Sequence, residues 1–237
     1  MNFPLTRTLP QTLLIDADDT LWENNVYFER AIAGFISYLD HKVHTPAEVR
    51  EHLNHCEHRT IAARGYGLVS FRQSLADCFA ELSSETVTGE QRAQIDRFAD
   101  IIHEHDIELL PTVGDTLAEL ARRHRLVLVT KGDSAEQTGK LKRSGLERHF
   151  AGVEVLPEKH PEAYLELTER HLFERERTWM IGNSPRSDIN PALSAGLHAV
   201  FIPHEFTWVL EHETVQVAPA GQQLLQLSRF GDLLDHF

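Results

Sequence analysis

The segment TLLIDADDTLW, residues 12–22, runs from apolar residues directly into three acidic ones, Asp16, Asp18 and Asp19. Carboxylates this close repel one another, so a fold that keeps them together normally offsets the repulsion with a cation, a phosphate or a shared proton. An acidic turn is the simpler alternative, because Asp is frequent in turns and at helix N-caps. The choice depends on which other polar residues the fold brings to the same place.

Short apolar segments alternate along the chain with segments of helical periodicity. Five of them are rich in β-branched and aliphatic residues, and they read TLLID, LVLVT, GVEVL, TWMIGN and HAVFIP. This alternation is typical of a parallel sheet covered by helices, so we predict an α/β fold with a Rossmann-like core. The last segment, QQLLQLSRFGDLLDHF, predicts a further short strand and a closing helix.

A long helical insertion separates the first two predicted strands. Between Trp22 and Pro111 the apolar residues recur three or four positions apart throughout, which predicts helices only. A segment of about ninety residues is long enough for a separate α-helical module. We therefore predict an α/β core domain formed by residues 1–22 and 112–237, with an α-helical cap domain inserted at residues 23–111.

The composition disfavours several classes of protein. The chain has 237 residues, of which 41% are hydrophobic and 25% charged, as in ordinary globular proteins. A net charge of -13 disfavours binding to nucleic acid or to anionic membranes. Because there is no apolar signal core, no run of membrane-spanning length and only two cysteines, we expect a cytoplasmic protein without disulfides.

The carboxyl ends of parallel strands meet at one edge of a sheet, which is where open α/β folds bind ligands. The first strand brings Asp16 and Asp18, alternate residues that can face the same side of an extended chain. The ends of the next three strands add Thr130, Lys131 and Gly132, then Lys159, and then Asn183, Ser184 and Asp188. Such a set is suited to holding a phosphate beside a hard divalent cation.

These residues resemble the motifs of the haloacid dehalogenase superfamily, specifically its phosphatase branch with an α-helical cap after the first strand. The family's Asp-x-Asp-x-Thr motif stands here as Asp16, Asp18 and Thr20. A Thr or Ser ends the family's next core strand, as Thr130 does here. The family's third motif is a Lys, usually before a Pro, and Lys159 fits it with one extra residue before the proline.

The fourth family motif, Gly-Asp-x-x-x-x-Asp, appears here as Gly182, Asn183 and Asp188. Asn183 is the clear departure, because the family pattern has an acid at this position. The resemblance covers nearly the whole chain and is specific for the core, whereas it is weak for the cap.

The resemblance implies a Mg²⁺-dependent phosphatase that hydrolyses a small phosphomonoester through an aspartyl-phosphate intermediate. Asp16 would attack the phosphorus, and Asp18 would protonate the leaving oxygen and then take a proton from water. The implied metal ligands are Asp16, Asp18, Asn183 and Asp188, and the implied phosphoryl-binding residues are Thr130, Lys131, Gly132 and Lys159. The expected partner is a small phosphorylated metabolite, and the expected assembly is a monomer or homodimer.

Other functions remain open at this stage. A dehalogenase on this fold would not need a second acidic residue two positions after the nucleophile, so Asp18 argues against it. A phosphomutase would keep all four motifs. A non-catalytic phosphate-binding module, including a degenerate phosphatase, would fit the neutral Asn183. Lys159 also fits a solvated loop, and Asp19 needs no chemical role.

The cap segment says less about chemistry. The stretch ARGYGLVSFRQS interrupts the helical pattern with two glycines and predicts either a helix-helix corner or a loop that dips into the cleft. His52, His55 and His58 lie near Cys56 and raise a metal-site hypothesis, because helical spacing can put two ligands on one face. Scattered surface histidines are the commoner explanation of such a pattern.

Overall fold

The computed structural model describes residues 9–83, 86–104 and 106–237. Within these ranges, six parallel strands form one sheet in the order β3-β2-β1-β4-β5-β6. The strands are β1 (Thr12–Ile15), β2 (Arg125–Lys131), β3 (Gly152–Leu156), β4 (Thr178–Gly182), β5 (His198–Phe201) and β6 (Leu224–Gln226). The predicted α/β fold with a Rossmann-like parallel sheet is confirmed.

The chain divides into two compact units, the α/β unit (Met1–Glu23 and Ile107–Phe237) and the helical unit (Asn24–Asp106). The helical unit contains α1 (Asn25–Leu39), α2 (Pro46–Arg64), α3 (Leu68–Ser83) and α4 (Gly89–Glu104). The α/β unit adds α5 (Val113–Leu120), α6 (Ser134–Ser144), α7 (Pro161–His171) and α8 (Asn190–Ser194), and a closing 3-10 helix at Phe230–Asp235. Among the described helices, none is both long and apolar enough to cross a bilayer.

Alternate residues of the central strands pack into two separate apolar clusters. Leu13 and Ile15 of β1 share one cluster with Trp179 of β4, whereas Leu14 shares the other with Met180. A strand that packs in this alternating way on both faces must be apolar at nearly every position. This requirement explains why the sequences of β1 and β4 read as unbroken apolar runs.

The sheet order reverses at β1, which pairs with β2 on one side and with β4 on the other. Consecutive strands run outward from β1 to β3, and the chain then returns to place β4 against the opposite side of β1. The carboxyl ends of β1 and β4 therefore flank the topological switch point, where ligands bind in open α/β sheets. Asp16 and Asn183 directly follow these two strand ends.

The helical unit has its own apolar core, which includes the fully buried side chains Phe35, Leu53, Leu75 and Ile95. Helix α2 begins with a capping box. The Thr45 side chain accepts from the backbone N–H of Glu48, and the Glu48 side chain accepts from the backbone N–H of Thr45. The unit thus has a folded core and helix ends set by local sequence.

Candidate active site

The loop after β1 holds Asp16 from two sides. Its backbone N–H donates to the carbonyl oxygen of Ile181 at 2.9 Å, which continues the strand pairing by one residue. The Thr20 hydroxyl lies 3.0 Å from Asp16 Oδ2 and 3.2 Å from Asn183 Oδ1. Asp19, which lies between Asp16 and Thr20 in the sequence, adopts a left-handed backbone with φ of 58°. This turn folds the chain back so that the Thr20 hydroxyl reaches the Asp16 carboxylate.

Lys159 is the shared partner of two buried carboxylates. Its Nζ lies 2.5 Å from Asp16 Oδ1 and 2.8 Å from Asp188 Oδ1. Only 1% of its side chain is exposed, so Lys159 does not lie in a solvated loop. The extra residue before the proline is His160, whose side chain accepts from the backbone N–H of Ala163 and caps α7. The insertion therefore caps a helix and leaves the ammonium within reach of Asp16.

Asp188 is positioned by a π-helical turn, Pro185–Ile189, that follows β4. Its Oδ2 accepts from the backbone N–H of Ser184 at 3.0 Å. A Cβ atom at Gly182 would lie 2.2 Å from that same Asp188 oxygen, so glycine is required there by contact. The Ser184 hydroxyl accepts from the backbone N–H of Ser187, which makes Ser184 the cap of this turn.

The charges around Lys159 do not balance. Burial, followed by the neighbouring Asp188 carboxylate, raises the pKa of Asp16 to about 7, although the Lys159 ammonium opposes the shift. Burial would lower the pKa of Lys159, but the two carboxylates hold it well above its usual range. One ammonium between two ionised carboxylates leaves a net negative charge in a buried place. Near neutral pH the group therefore favours binding a proton or a further cation.

Asp18 has different surroundings from Asp16. Its carboxylate accepts from Trp22 Nε1 at 2.7 Å, Gln137 Nε2 at 2.9 Å and Lys140 Nζ at 2.8 Å. Burial would raise the pKa of Asp18, but the Lys140 charge and these hydrogen bonds hold it below its usual value. Asp18 is therefore a stable carboxylate in this arrangement, which is the form that accepts a proton.

The three predicted phosphoryl-binding residues at the end of β2 lie in three different settings. Thr130 is buried opposite Val155 of β3. The Lys131 ammonium donates to Glu211 Oε1 at 2.5 Å. Gly132 has a φ of 134°, a value that favours glycine. The roles of all three in substrate binding stay predictions.

Glu211 was missed by sequence reasoning, although it supports the turn that carries Asp188. Its carboxylate accepts from Lys131 Nζ and, at 2.5 Å each, from the hydroxyls of Ser184 and Ser187. Burial would raise the pKa of Glu211, but the Lys131 charge and these hydrogen bonds hold it below its usual range. Glu211 lies on a short 3-10 turn, Val209–Glu211, in an irregular segment that carries no recognisable motif.

His204 is a second polar residue that the sequence did not single out. Its Nε2 lies 3.4 Å from Glu23 Oε2 and its Nδ1 lies 3.9 Å from Asp19 Oδ1. The imidazole follows β5 and so comes to the carboxyl edge of the sheet like the predicted residues. Its position three residues after β5 was the sequence signal that could have identified it.

Asn183 stands where the family pattern has an acid. Its Nδ2 donates to Thr207 Oγ1 at 3.0 Å, and its Oδ1 accepts from Thr20. These two contacts fix the amide so that its carbonyl oxygen faces the Thr20 hydroxyl that also bonds Asp16. The neutral residue therefore presents an oxygen donor at this position without adding charge.

We call Asp16, Asp18, Lys159, Asn183 and Asp188 the strand-end site. Its donor set fits a hard divalent cation, because Mg²⁺ prefers carboxylate and amide oxygens. The raised pKa of Asp16 supports the fit, since burial and then the neighbouring Asp188 carboxylate disfavour its ionised form in the absence of a cation. The residues present are thus suited to Mg²⁺.

Comparison with known proteins identifies the family. The sequence model of the haloacid dehalogenase-like hydrolases matches residues 10–196. This chain belongs to that family. Pyrimidine 5′-nucleotidase PynA of Streptococcus pneumoniae is 34% identical over 128 residues, which are 51% of this chain and 49% of that protein. The alignment thus spans about half the length of this curated relative.

Solved structures support the same family and fold. A haloacid dehalogenase-like hydrolase from Xanthomonas campestris is 26% identical with a TM-score of 0.79, covering 94% of this chain and 92% of that chain. The magnesium-bound hydrolase YfnB of Bacillus subtilis is 19% identical with a TM-score of 0.65, covering 96% of this chain and 98% of its own. A 2-haloacid dehalogenase from Pseudomonas syringae is 19% identical with a TM-score of 0.61, covering 96% of this chain and 97% of its own. Family membership establishes a hydrolase and leaves the reaction class open.

Proposed function

We propose that this hydrolase is a Mg²⁺-dependent phosphatase that acts on a small phosphomonoester through an aspartyl-phosphate intermediate. The observation that carries the proposal is the strand-end site, where Lys159 links Asp16 to Asp188 and a second carboxylate, Asp18, stands two residues after Asp16. The relative PynA is named a pyrimidine 5′-nucleotidase, which supports a phosphomonoester substrate.

In the first half-reaction a carboxylate oxygen of Asp16 attacks the phosphorus, and the bond from phosphorus to the ester oxygen breaks. Asp18 in its acid form donates a proton to the leaving oxygen, so the alcohol departs neutral. Lys159 offsets charge on Asp16 and on the phosphoryl group. The Thr130 hydroxyl donates to a phosphoryl oxygen. The products of this step are the alcohol and an aspartyl-phosphate at Asp16.

In the second half-reaction Asp18 acts as the base. Its carboxylate takes a proton from water while the water oxygen attacks phosphorus, and the bond from phosphorus to Asp16 breaks. Inorganic phosphate leaves, and Asp18 has regained the proton that the next cycle needs. The pairing of Asp18 with Lys140 favours this base form, and it must loosen when Asp18 serves as the acid.

The proposed ligands for Mg²⁺ are the side chains of Asp16, Asn183 and Asp188 and the backbone carbonyl of Asp18. When bound, the ion supplies positive charge that offsets the phosphoryl oxygens. The residues around it keep the carboxylates in place, because Gly182 leaves room for Asp188 and the Thr20 hydroxyl contacts Asp16.

We further propose that residues 23–111 act as a cap that admits the substrate and excludes water. Their position directly after the Asp16–Thr20 loop supports this role. Hydrogen exchange in the helical unit, measured with and without a phosphate analogue such as vanadate, tests it. Slower exchange on binding is expected, whereas identical exchange in Asn24–Asp106 would contradict the cap role.

A cytoplasmic location and a monomeric or homodimeric state stay predictions.

A substrate panel tests the reaction class. Purified protein is incubated with nucleoside monophosphates, sugar phosphates and p-nitrophenyl phosphate, with Mg²⁺ and with a chelator, and inorganic phosphate is measured. A parallel arm with 2-chloropropionate measures chloride. Phosphate release that requires Mg²⁺ and disappears in Asp16→Asn supports the proposal. Chloride release would indicate a dehalogenase, and isomerisation without phosphate release would indicate a phosphomutase. No turnover on any substrate would indicate a binding module.

A further inference from the structure

A mixed group of nitrogen, sulfur and oxygen side chains lies between α2 and α3 of the helical unit. His52 and Cys56, one turn apart on α2, meet Glu81 of α3, and their ligand atoms lie within 4.8 Å of one another. Glu81 Oε2 is 2.8 Å from His52 Nε2 and 3.8 Å from Cys56 Sγ. None of these three residues takes part in the proposed hydrolysis.

Cys78 places a second sulfur beside this group. It lies one turn before Glu81 on α3, and its thiol interacts with that of Cys56. Its sulfur lies outside the group of three ligand atoms within 4.8 Å of one another, so Cys78 must move closer to complete a tetrahedral ligand set. Residues three or four positions apart share one face of a helix, so α2 contributes the pair His52 and Cys56 and α3 contributes the pair Cys78 and Glu81. Both sulfurs belong to fully buried residues, whereas His52 and Glu81 are partly exposed and leave a path for an ion.

We propose that His52, Cys56, Cys78 and Glu81 form a binding site for a thiophilic divalent metal ion such as Zn²⁺. Structural zinc sites are tetrahedral with four protein ligands, and Zn–S and Zn–N bonds of about 2.3 and 2.0 Å place neighbouring ligand atoms about 3.3–3.8 Å apart. The separation of 3.8 Å between Cys56 Sγ and Glu81 Oε2 already matches this spacing. His52 must move about half an ångström away from Glu81 to reach it.

This ligand set differs in kind from the strand-end site. Two sulfurs and an imidazole select soft and borderline ions, whereas carboxylate and amide oxygens suit Mg²⁺. The two sites therefore predict different metals, and an excess of Mg²⁺ should not displace Zn²⁺ from the helical unit. The sequence pointed to His52, His55 and His58 beside Cys56, but His55 instead contacts the carbonyl oxygen of Glu51 on its own helix.

Arg59 competes for two of the four ligands. Its Nη2 lies 3.4 Å from Cys56 Sγ and also pairs with Glu81 Oε1. Zinc binding requires thiolates, so a metal must take over the charge that the guanidinium now neutralises.

Metal binding to the full-length protein tests the proposal. The chain is stripped with a chelator, supplied with excess Mg²⁺ and titrated with Zn²⁺ by calorimetry, while Co²⁺ serves as a spectroscopic probe of thiolate coordination. We expect one equivalent of Zn²⁺ and a thiolate-to-cobalt absorption band. His52→Ala and Cys56→Ser should weaken binding by about tenfold or more. The matched control His55→Ala, on the same helix, should bind like the parent protein.

Two further outcomes make the test decisive. Arg59→Gln should bind Zn²⁺ more tightly than the parent, because a competing cation is removed; unchanged or weaker binding would overturn the assignment of Cys56 and Glu81. The absence of a Zn²⁺ equivalent in the parent, or equal affinities for His52→Ala and His55→Ala, would also overturn it. If Cys56→Ser does not fold, the two histidine variants still decide. The readout does not depend on phosphatase activity, so this proposal and the proposed function can fail separately.

Discussion

The two units bury acidic side chains in opposite ways. In the α/β unit, the buried carboxylates Asp16 and Asp188 share the ammonium of Lys159. In the helical unit, Glu57 is buried on α2, and its Oε2 has no hydrogen-bond partner among the described residues. Burial raises the pKa of Glu57 to about 7, and the charge of Arg50 opposes the shift without cancelling it.

This difference follows from how each architecture places side chains. The ends of parallel strands converge on one edge regardless of their distance along the chain, so a lysine and two carboxylates can be set against each other. A helix buries the residues of one face together, and Glu57 lies on the same buried face of α2 as Val49, Leu53 and Thr60. Charged side chains in the α/β unit are therefore set against one another at one edge of the sheet, whereas Glu57 in the helical unit is buried by its position on the packed face of α2.

The largest effect is expected at the proposed nucleophile. Asp16→Asn removes the attacking oxygen's charge, so phosphate release should fall by about 10⁴-fold or more. The matched control Asp19→Asn makes the same chemical change three residues later, where Asn tolerates the left-handed backbone. It should fold and retain most activity. Equal activities of Asp16→Asn and the parent protein would show that Asp16 is not the nucleophile, and the proposed role of the α/β unit would fall.

The next effect concerns the second carboxylate of the first motif. Asp18→Asn should lower turnover by about 10²–10⁴-fold, because it removes proton transfer in both half-reactions. Rapid-quench measurements should show that the aspartyl-phosphate persists longer than in the parent. If Asp18→Asn releases phosphate at the parent rate over the whole pH range, Asp18 is not the acid and base.

A smaller effect is expected at the proposed metal ligands after β4. Asp188→Ala should raise the Mg²⁺ concentration for half-maximal activity by about 10–100-fold, because it removes a buried charge beside the ion. Asn183→Ala should raise it less, and Asn183→Asp should lower it. The Mg²⁺-induced rise in melting temperature gives an independent reading. Should Asp188→Ala respond to Mg²⁺ like the parent, Asp188 is not a ligand. Activity that appears only in Asn183→Asp would identify a pseudoenzyme.

The sheet and the strand-end residues could be predicted because their signal lies in short stretches of sequence. Strands buried on both faces must be apolar throughout. Asp16 directly follows such a strand, Thr130 is the second-last residue of β2, and Lys159 lies three residues after β3. The contact of Lys140 with Asp18 spans 122 positions, so no short stretch of sequence indicates it. Glu211 had no signal at all, because an irregular segment carries no periodicity that places its side chains.

The helical unit shows the other limit of sequence reasoning. Periodicity predicted helices and their buried faces, but it does not state which helices are neighbours or how they are rotated. The histidine-rich stretch around Cys56 was visible, whereas its meeting with Cys78 and Glu81 of α3 depends on helix packing. Burial of Glu57 was likewise hidden, since an acidic residue is normally assigned to the exposed face.

The unbalanced charge of the strand-end site should be measurable as stability. The pKa of Asp16 is raised from 3.8 to about 7, so the folded protein retains a proton that the unfolded chain loses, and stability falls as pH rises through this window. Without metal at pH 8, Asp16→Asn should therefore melt at a higher temperature than the parent, and the difference should vanish near pH 4. Mg²⁺ should raise the melting temperature of the parent more than that of the variant. A variant less stable than the parent at pH 8 would contradict the charge imbalance.

The smallest effect tests the helical unit by the same logic. The pKa of Glu57 rises from 4.5 to about 7 on folding, so the buried carboxyl is neutral at low pH and carries an unfavourable charge at pH 8. Glu57→Gln keeps the shape without the charge and should raise the free energy of unfolding at pH 8 by about 1–3 kcal/mol. The gain should shrink as pH falls towards 5.

Glu51→Gln is the matched control for this change, because Glu51 is exposed on the same helix. It should alter stability by about 0.5 kcal/mol or less at either pH. Denaturant unfolding at pH 5 and pH 8 measures both variants. Mg²⁺ should leave the Glu57→Gln gain unchanged, since that carboxylate has no proposed metal to offset it. If Glu57→Gln raises the free energy of unfolding equally at both pH values, packing and not charge distinguishes Gln from Glu at this position. The contrast between the two units would then lose its electrostatic basis.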